Sequence, residues 1–411
     1  MSNQPDRVSN DPFGSIDLSE ISPLPPPPLV RFEGWRTFVE ATPPVRPLMP
    51  SLAVFHAMTK KEKGKFATDR KRYHGKFGPI ETPALSRIHE EALRLAALNY
   101  VSAPGARPGI VLDGEGTLGK STISVELGKK YEKSLRKKLM RPIDAKLGSD
   151  FIPVVYVTLP GELTIRAFNR LIAQFLGIPG AANGDVEWLN ERIIKTADEC
   201  GVSLVIIDDI HFLKMKNRSA ESVNNHFKYL ASSISATFIY AGIHVEDTGL
   251  FSESSSKDRE KFSQTRHRFK KYTISPFQKG SEDFLNLLLA FEKNLLLLLQ
   301  PEKSILTLAD YIHDRTDGYI GAISNLMREG ANSAIQAGDE RLSEKVLNRI
   351  RLDHAAEQHR RIVRPARPAS GTSQAVKTGR ATSKNGDPLG PGTLIADPAS
   401  ATSDTAATQG Q

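Results

Sequence analysis

The sequence predicts an α/β protein: a parallel sheet with helices on both faces, a small all-helical lid after it, and disordered termini. Three observations predict this. Five short apolar runs alternate with helical periodicity between residues 109 and 277. Beyond 278 the strand-like runs stop and only helical spacing remains. The two ends have the composition of unfolded chain.

Residues 1–50 are polar and proline-rich, with PLPPPP at 23–28, and are expected to form a disordered arm. The polyproline run suits an extended spacer or an SH3-type ligand. Residues 51–105 read as a basic, helical extension. Within it TKKEKGKFATDRKRYHGK (59–76) carries eight Lys/Arg against Glu62 and Asp69. TPALSRIHEEALRLAALNY (82–100) then opens with Thr-Pro and places Leu85, Ile88, Ala92, Leu95 and Leu98 at helical spacing.

Residues 106–277 are expected to form the sheet domain. GIVLD (109–113) precedes a glycine-rich loop and a helix from about 120 to 139; PVVYVTL (153–159) precedes ELTIRAFNRLIAQFLG. VSLVIID (202–208) follows VEWLNERIIKTADEC, and ATFIYAG (236–242) and KYTISPF (271–277) supply the last two runs. Apolar runs this continuous fit strands buried on both faces. Residues 278–361 then predict a lid of helices at 281–299, 304–314, 319–337 and 341–361. Residues 362–411 form a tail rich in Ala, Ser, Thr, Gly and Pro; from 364 onward it has no aromatic residue and too little apolar surface to fold.

Composition narrows the function classes. The formal charge of +8 and pI of about 9.3 fit an anionic partner without requiring one. One cysteine, Cys200, excludes an internal disulfide and fits a reducing compartment. The N-terminus lacks the basic-then-apolar pattern of a signal peptide. The most apolar window, FLNLLLAFEKNLLLLLQ (284–300), is interrupted by Glu292 and Lys293, which fits a buried amphipathic helix better than a membrane span. A cytoplasmic protein is expected.

Gly114-Glu115-Gly116-Thr117-Leu118-Gly119-Lys120-Ser121, followed by Thr122, fits G-x-x-x-x-G-K-[ST], the phosphate-binding loop. Glycines let backbone N–H groups converge on phosphate oxygens, and the helix after them points its positive end at the same anion. Lys120 is then positioned to reach β- and γ-phosphates, and Ser121 to ligate Mg²⁺. LVIIDD (204–209) is an apolar strand ending in two carboxylates: Asp208 is expected to hold Mg²⁺ through water, Asp209 to orient an attacking water. Read with PVVYVTL intervening, the two motifs mark the ATPase branch whose motif strands are not adjacent. His244, just past ATFIYAG, is a candidate γ-phosphate sensor or an ordinary loop histidine. Arg266 and Arg268, in the cation-dense KDREKFSQTRHRFKKYTISPF (257–277), are candidates for presentation to a neighbouring subunit's nucleotide, or lie on a solvated basic face.

Taken together, GEGTLGKS, LVIIDD and the helical region after ISPF resemble the AAA+ ATPases. TPALSRIHEEAL, LVIIDDIHFL and TDGYIGAISNLMREGANSAIQAGDERLSEKVL (316–347) are most similar to the transposition-regulator ATPases of the TniB and TnsC type. The resemblance spans about 80–355. It implies a P-loop ATPase that binds ATP and Mg²⁺ between subunits and assembles as a homo-oligomer on duplex DNA. It also implies delivery of target sites to a transposase. Two departures stand out: Asp209 replaces the usual Glu, which implies slow hydrolysis, and no arginine follows Gly318, leaving Arg328 as a substitute. In the resembling family the region after the P-loop helix lies near DNA. Here KKYEKSLRKKLMRPIDAK (129–146) offers Lys129, Lys130, Lys133, Arg136, Lys137, Lys138, Arg141 and Lys146 for non-specific phosphate contact, or simply a solvated face. A nucleotide-gated signalling or defence ATPase acting through protein assembly without DNA is the rival reading; a metabolic kinase is a third.

Overall fold

In the computed structural model the described residues are 27–103, 105, 107–139, 151–161, 164–210, 218–245 and 269–363. The chain divides into a compact unit, Met1–Pro365, and a second unit, Ala366–Gln411, which lies outside the described residues together with most of the expected tail.

Five parallel strands form one sheet: β1 (Gly109–Asp113), β2 (Val154–Thr158), β3 (Leu204–Asp208), β4 (Thr237–Gly242) and β5 (Phe269–Thr273), in the order β2-β3-β4-β1-β5. Every residue of β1, β3 and β4 is buried. Successive side chains point to opposite faces, so both faces of the sheet are covered. The strands carrying the two motifs, β1 and β3, are separated as the sequence predicts. The strand between them in space is β4 (the ATFIYAG run), not the PVVYVTL run that intervenes in sequence.

The fifth strand begins and ends earlier than KYTISPF suggests. Phe269 pairs with Gly109 and Thr273 with Asp113, after which Ser275-Pro276 cannot continue a ladder because proline has no N–H. As an edge strand with an exposed Lys270 it is too polar to stand out by hydropathy.

Helices α1 (Phe32–Glu40), α2 (Leu52–Ala57), α3 (Lys60–Lys76) and α4 (Pro83–Val101) precede the sheet. The first corrects the expectation of a disordered arm through residue 50. Trp35 of α1 is buried, its Nε1–H donates to Glu132 at 2.8 Å, and its ring stacks on Tyr156 at 5.9 Å. Burial of Trp35 and Val39, with Phe32 and Phe38 partly buried beside them, offsets the ordering entropy that the flanking prolines alone would not. Within the sheet region follow α5 (Lys120–Lys138), α6 (Ile165–Phe175), α7 (Val186–Cys200) and α8 (Arg218–Ser233).

The lid region contains α9 (Glu282–Asn294), α10 (Ala309–Thr316), α11 (Ile320–Ala337), α12 (Glu344–Leu347) and α13 (His354–Val363). Phe284, Leu287, Leu288 and Phe291 bury one face of α9, and Leu295, Leu296 and Leu297 just after it are buried as well, while Leu299 is exposed. No described helix is long and apolar enough to cross a membrane.

Two apolar clusters result. The first joins the sheet to Trp35, Val39, Ala92 and Ala96, thus to α1 and α4. The second joins the lid helices to Tyr73 and Phe77, thus to α3. A buried ion pair fixes that second attachment: Arg70 of α3 holds Glu340 through two hydrogen bonds of 2.6 and 2.8 Å and donates to the Leu296 carbonyl at 3.0 Å. The chain therefore passes from sheet cluster to lid cluster and back before β1 begins.

Candidate functional site

The phosphate-binding loop leaves β1 at Asp113, and its backbone explains its glycines. A Cβ on Gly114 would come 2.4 Å from the Ile274 carbonyl oxygen. Gly119, the residue before α5, has φ of +84°, a region L side chains rarely adopt. Thr117 also lies there, at φ +59°. Lys120 opens α5 and is buried along its stem, and its Nζ donates to the Glu115 carbonyl at 2.5 Å, inside the loop it serves. Burial pushes the Lys120 ammonium below its ordinary pKa, while Asp208, Asp209, Asp113 and Glu115 act to raise it. Ser121 and Thr122 stand exposed in the first turn of α5.

Asp208 ends β3 almost completely buried. Its Oδ2 accepts from the Tyr156 hydroxyl at 2.8 Å and its Oδ1 from the Asp209 N–H at 2.9 Å. Burial and the neighbouring carboxylate push the Tyr156 phenol up, so it stays protonated as a donor. Asp209 adopts φ +58°, which turns it out of the strand, and it lines the same cavity as the loop.

That cavity measures about 1130 Å³. Its lining includes the polar Lys120, Ser121 and Asp209 and the apolar Phe77, Ile80, Leu85 and Ile88. A ligand with both a charged and an apolar part matches this mixed lining. The lid closes one side. The Gly321 N–H donates to the Thr117 carbonyl at 3.0 Å, and the Tyr319 hydroxyl bonds the Glu115 carboxylate, which pushes the Tyr319 phenol up to about 12. Arg328 of α11 also lines the cavity, where its Nη2 donates to the Phe77 carbonyl at 3.0 Å and its guanidinium lies 4.3 Å over the Phe77 ring.

The other expected residues fare differently. His244 is exposed at φ +48° and does not line the cavity; its neighbour Ile243 does. Arg266, Arg268, Arg141 and Lys146 lie outside the described residues. Among the cations proposed for DNA, Arg136 is corrected: it is buried, pairs with Glu132 at 2.8 Å and donates to the Phe151 carbonyl at 2.7 Å. Lys129 lies 4.4 Å over the Phe38 ring, and Lys130 bonds Glu81 and His89. Lys133, Lys137 and Lys138 are exposed.

Two residues of the site carry no motif signal. Tyr156 sits mid-strand in β2 and reads as core. Asp113, at the end of β1, accepts from the Val245 N–H at 3.2 Å and pairs with Lys271 at 3.0 Å. Burial acts to raise its carboxyl, but Lys271 and the Val245 N–H together hold it below the ordinary value. A carboxylate directly before a glycine loop is the signal available for it.

Residues 80–278 match the model of the family described as the bacterial TniB protein. No curated protein matches the sequence. Among solved structures, the ORC2 protein of Aeropyrum pernix in its ADPNP–ADP complexes is similar with a TM-score of 0.50 and 16% identity, over 66% of this chain and 68% of that one. Its ADP form gives 0.50 and 16% over 66% and 69%. The Aeropyrum pernix ORC1 protein in complex with DNA gives 0.48 and 14% over 70% of this chain and 66% of that one, so this chain spans just under two thirds of its length. At such identities the likeness concerns the fold alone. The chain is TniB-like over residues 80–278 and has the AAA+ ATPase fold that its motifs resemble.

Proposed function

We propose that this chain, TniB-like in its sheet region and AAA+ in fold, binds and slowly hydrolyses ATP and uses the bound nucleotide to assemble on duplex DNA in support of transposition or a related recombination. The observation that carries the nucleotide part is one cavity lined together by Lys120 and Ser121 of the glycine loop, the carboxylate Asp209 and the apolar Phe77, Ile80, Leu85 and Ile88. Phosphates would lie in the loop at the N-terminus of α5, where N–H groups and the helix dipole favour anions. Lys120 would give up the Glu115 carbonyl for phosphate oxygens, a stronger charge-assisted pairing.

Ser121 and Asp208 are the residues that would hold magnesium: a hydroxyl at the helix start and a buried carboxylate aimed by two hydrogen bonds suit a hard cation. The ion would neutralise phosphate charge when bound. Asp209, turned into the cavity, would orient and polarise the attacking water. Being one methylene shorter than glutamate, it reaches less far, which is the reason for proposing slow turnover.

DNA and transposition rest on the family match over 80–278 and on the exposed cations. The deciding experiment is ATP hydrolysis by purified full chain with and without duplex DNA, alongside size-exclusion chromatography in both nucleotide states. DNA-stimulated turnover and ATP-dependent assembly support the reading. Assembly with ATP but indifference to DNA would transfer it to the signalling-ATPase alternative.

A further inference from the structure

Two cation-rich stretches fall on described helices, and folding treats them differently. On α5, Arg136 is buried against Glu132, Lys129 lies on Phe38 and Lys130 is tied to Glu81. On α3 the division is sharper. Arg70, Tyr73, His74 and Phe77 are buried against the lid, while Lys60, Lys61, Lys65 and Lys76 are exposed. At about 100° per residue, Lys60, Lys61, Lys65, Lys71, Arg72 and Lys76 fall within an arc of roughly 160°, opposite the buried face. The acid within this stretch nearest the helix start, Glu62, is consumed locally: it closes a capping box with Thr59.

We infer that this outward face of α3 is a phosphate-backbone surface for duplex DNA, carried by the lid rather than by the sheet; the inference rests on the DNA reading proposed above. Its first support is charge. A helix of 17 residues is about 25 Å long, and duplex DNA presents a negative charge every ~1.7 Å of axis. Its second support is the absence of bulk along the middle of the arc. Gly64 and Gly75 lie between the two cation rows, and a Cβ on either would meet nothing within 4 Å. Packing therefore gives no reason for two residues that each cost a helix about 1 kcal/mol relative to alanine. Close approach of a phosphodiester chain does give one. With no exposed aromatic on this arc, the surface suits backbone contact rather than base reading.

The anchoring gives the surface a role. Arg70 bonds Glu340 and the Leu296 carbonyl, and Arg328 of α11 bonds the Phe77 carbonyl where α3 ends. Segment 77–82, which returns the chain from α3 to α4, lines the nucleotide cavity at Phe77, Ile80 and Thr82. A nucleotide that reseats the lid would reseat this cation face with it.

The test is fluorescence anisotropy of a labelled duplex with the full chain and saturating ATP, over a salt series. Lys61→Glu, Lys65→Glu and Lys76→Glu together should weaken DNA binding at least ~tenfold. They should also shrink the log–log salt slope by about 0.9 for every DNA phosphate that is no longer neutralised. ATP affinity by calorimetry should not change, since none of the three lines the cavity. A charge-neutral pair, Gly64→Leu and Gly75→Leu, should weaken DNA binding while leaving the melting temperature equal or higher. Parental affinity and slope in the charge-reversed protein would overturn this inference and leave the DNA reading standing. No DNA binding by the parental chain, with ATP bound normally, would overturn both.

Discussion

The Tyr156 hydroxyl donates to Oδ2 of Asp208 at 2.8 Å, so the carboxylate ending the Asp-Asp strand is aimed by the neighbouring strand. Removing that donor leaves a buried carboxylate oxygen unpaired, which costs about 1–3 kcal/mol. Tyr156→Phe keeps the ring stacked on Trp35 and should lower stability by that amount in urea unfolding. It should also weaken magnesium-dependent ATP binding several-fold while leaving magnesium-free binding unchanged. Equal stability and equal magnesium dependence would show that Asp208 needs no such support.

Lys120→Ala should weaken ATP binding at least tenfold, because each charge-assisted hydrogen bond to phosphate contributes about 1.5–3 kcal/mol. Calorimetry reads this directly.

Asp209→Asn should bind ATP like the parent and hydrolyse it about a hundredfold more slowly, the low end of what a positioned carboxylate contributes. Asp208→Asn should instead impair binding in the presence of magnesium. Steady-state phosphate release, measured beside affinity, separates the two carboxylates; parental turnover in Asp209→Asn would reverse their roles.

Trp35→Ala should cost about 3–5 kcal/mol, the range for emptying a buried aromatic site. It also frees Glu132 of one of its two partners, Arg136 being the other. A melting temperature within a degree of the parent would mean that α1 only rests on the surface.

Acid should destabilise the protein before carboxylates titrate. His74 and His89 are both buried, and burial holds each below the ordinary value of 6.5. His89 is also disfavoured as a cation by Lys130, whose Nζ it faces at 3.0 Å. With the folded pKa depressed, the contribution is complete above 6.5 and is lost as pH falls through the lower folded value, because the unfolded chain takes up protons first. Melting temperature should therefore fall between pH 7.5 and pH 5. His89→Gln, which can donate and accept at every pH, should flatten that slope. A profile identical to the parent's would assign the acid lability elsewhere.

What is legible in the sequence is local. GEGTLGKS and LVIIDD are read within a few residues, and runs 109–113, 204–208 and 237–242 announce buried strands because their interior positions are all apolar. The misreadings turn on tertiary surroundings that local pattern does not display. Trp35 reads as part of a proline-rich arm because its anchors, Glu132 and Tyr156, come about a hundred residues later. Arg136 reads as a surface cation because composition cannot register that Glu132 and the Phe151 carbonyl enclose it. Strand β5 escapes at its start because an edge strand need not be apolar. Tyr156 gives no sign at all, since a buried tyrosine in a strand is ordinary until its hydroxyl is seen on Asp208.

The Arg70–Glu340 pair bears on how this protein can be dissected. A chain begun at residue 80, where the family match starts, would keep both nucleotide motifs and the entire lid. It would still strand Glu340 as a lone buried charge, an imbalance of about 3–5 kcal/mol, and strip Tyr73 and Phe77 from the lid's interior. The portable-looking motif core is therefore not a transplantable cassette. Deletion mapping or domain grafting that trims the leading helices would report inactivity caused by an unbalanced lid and mistake it for the loss of a binding function.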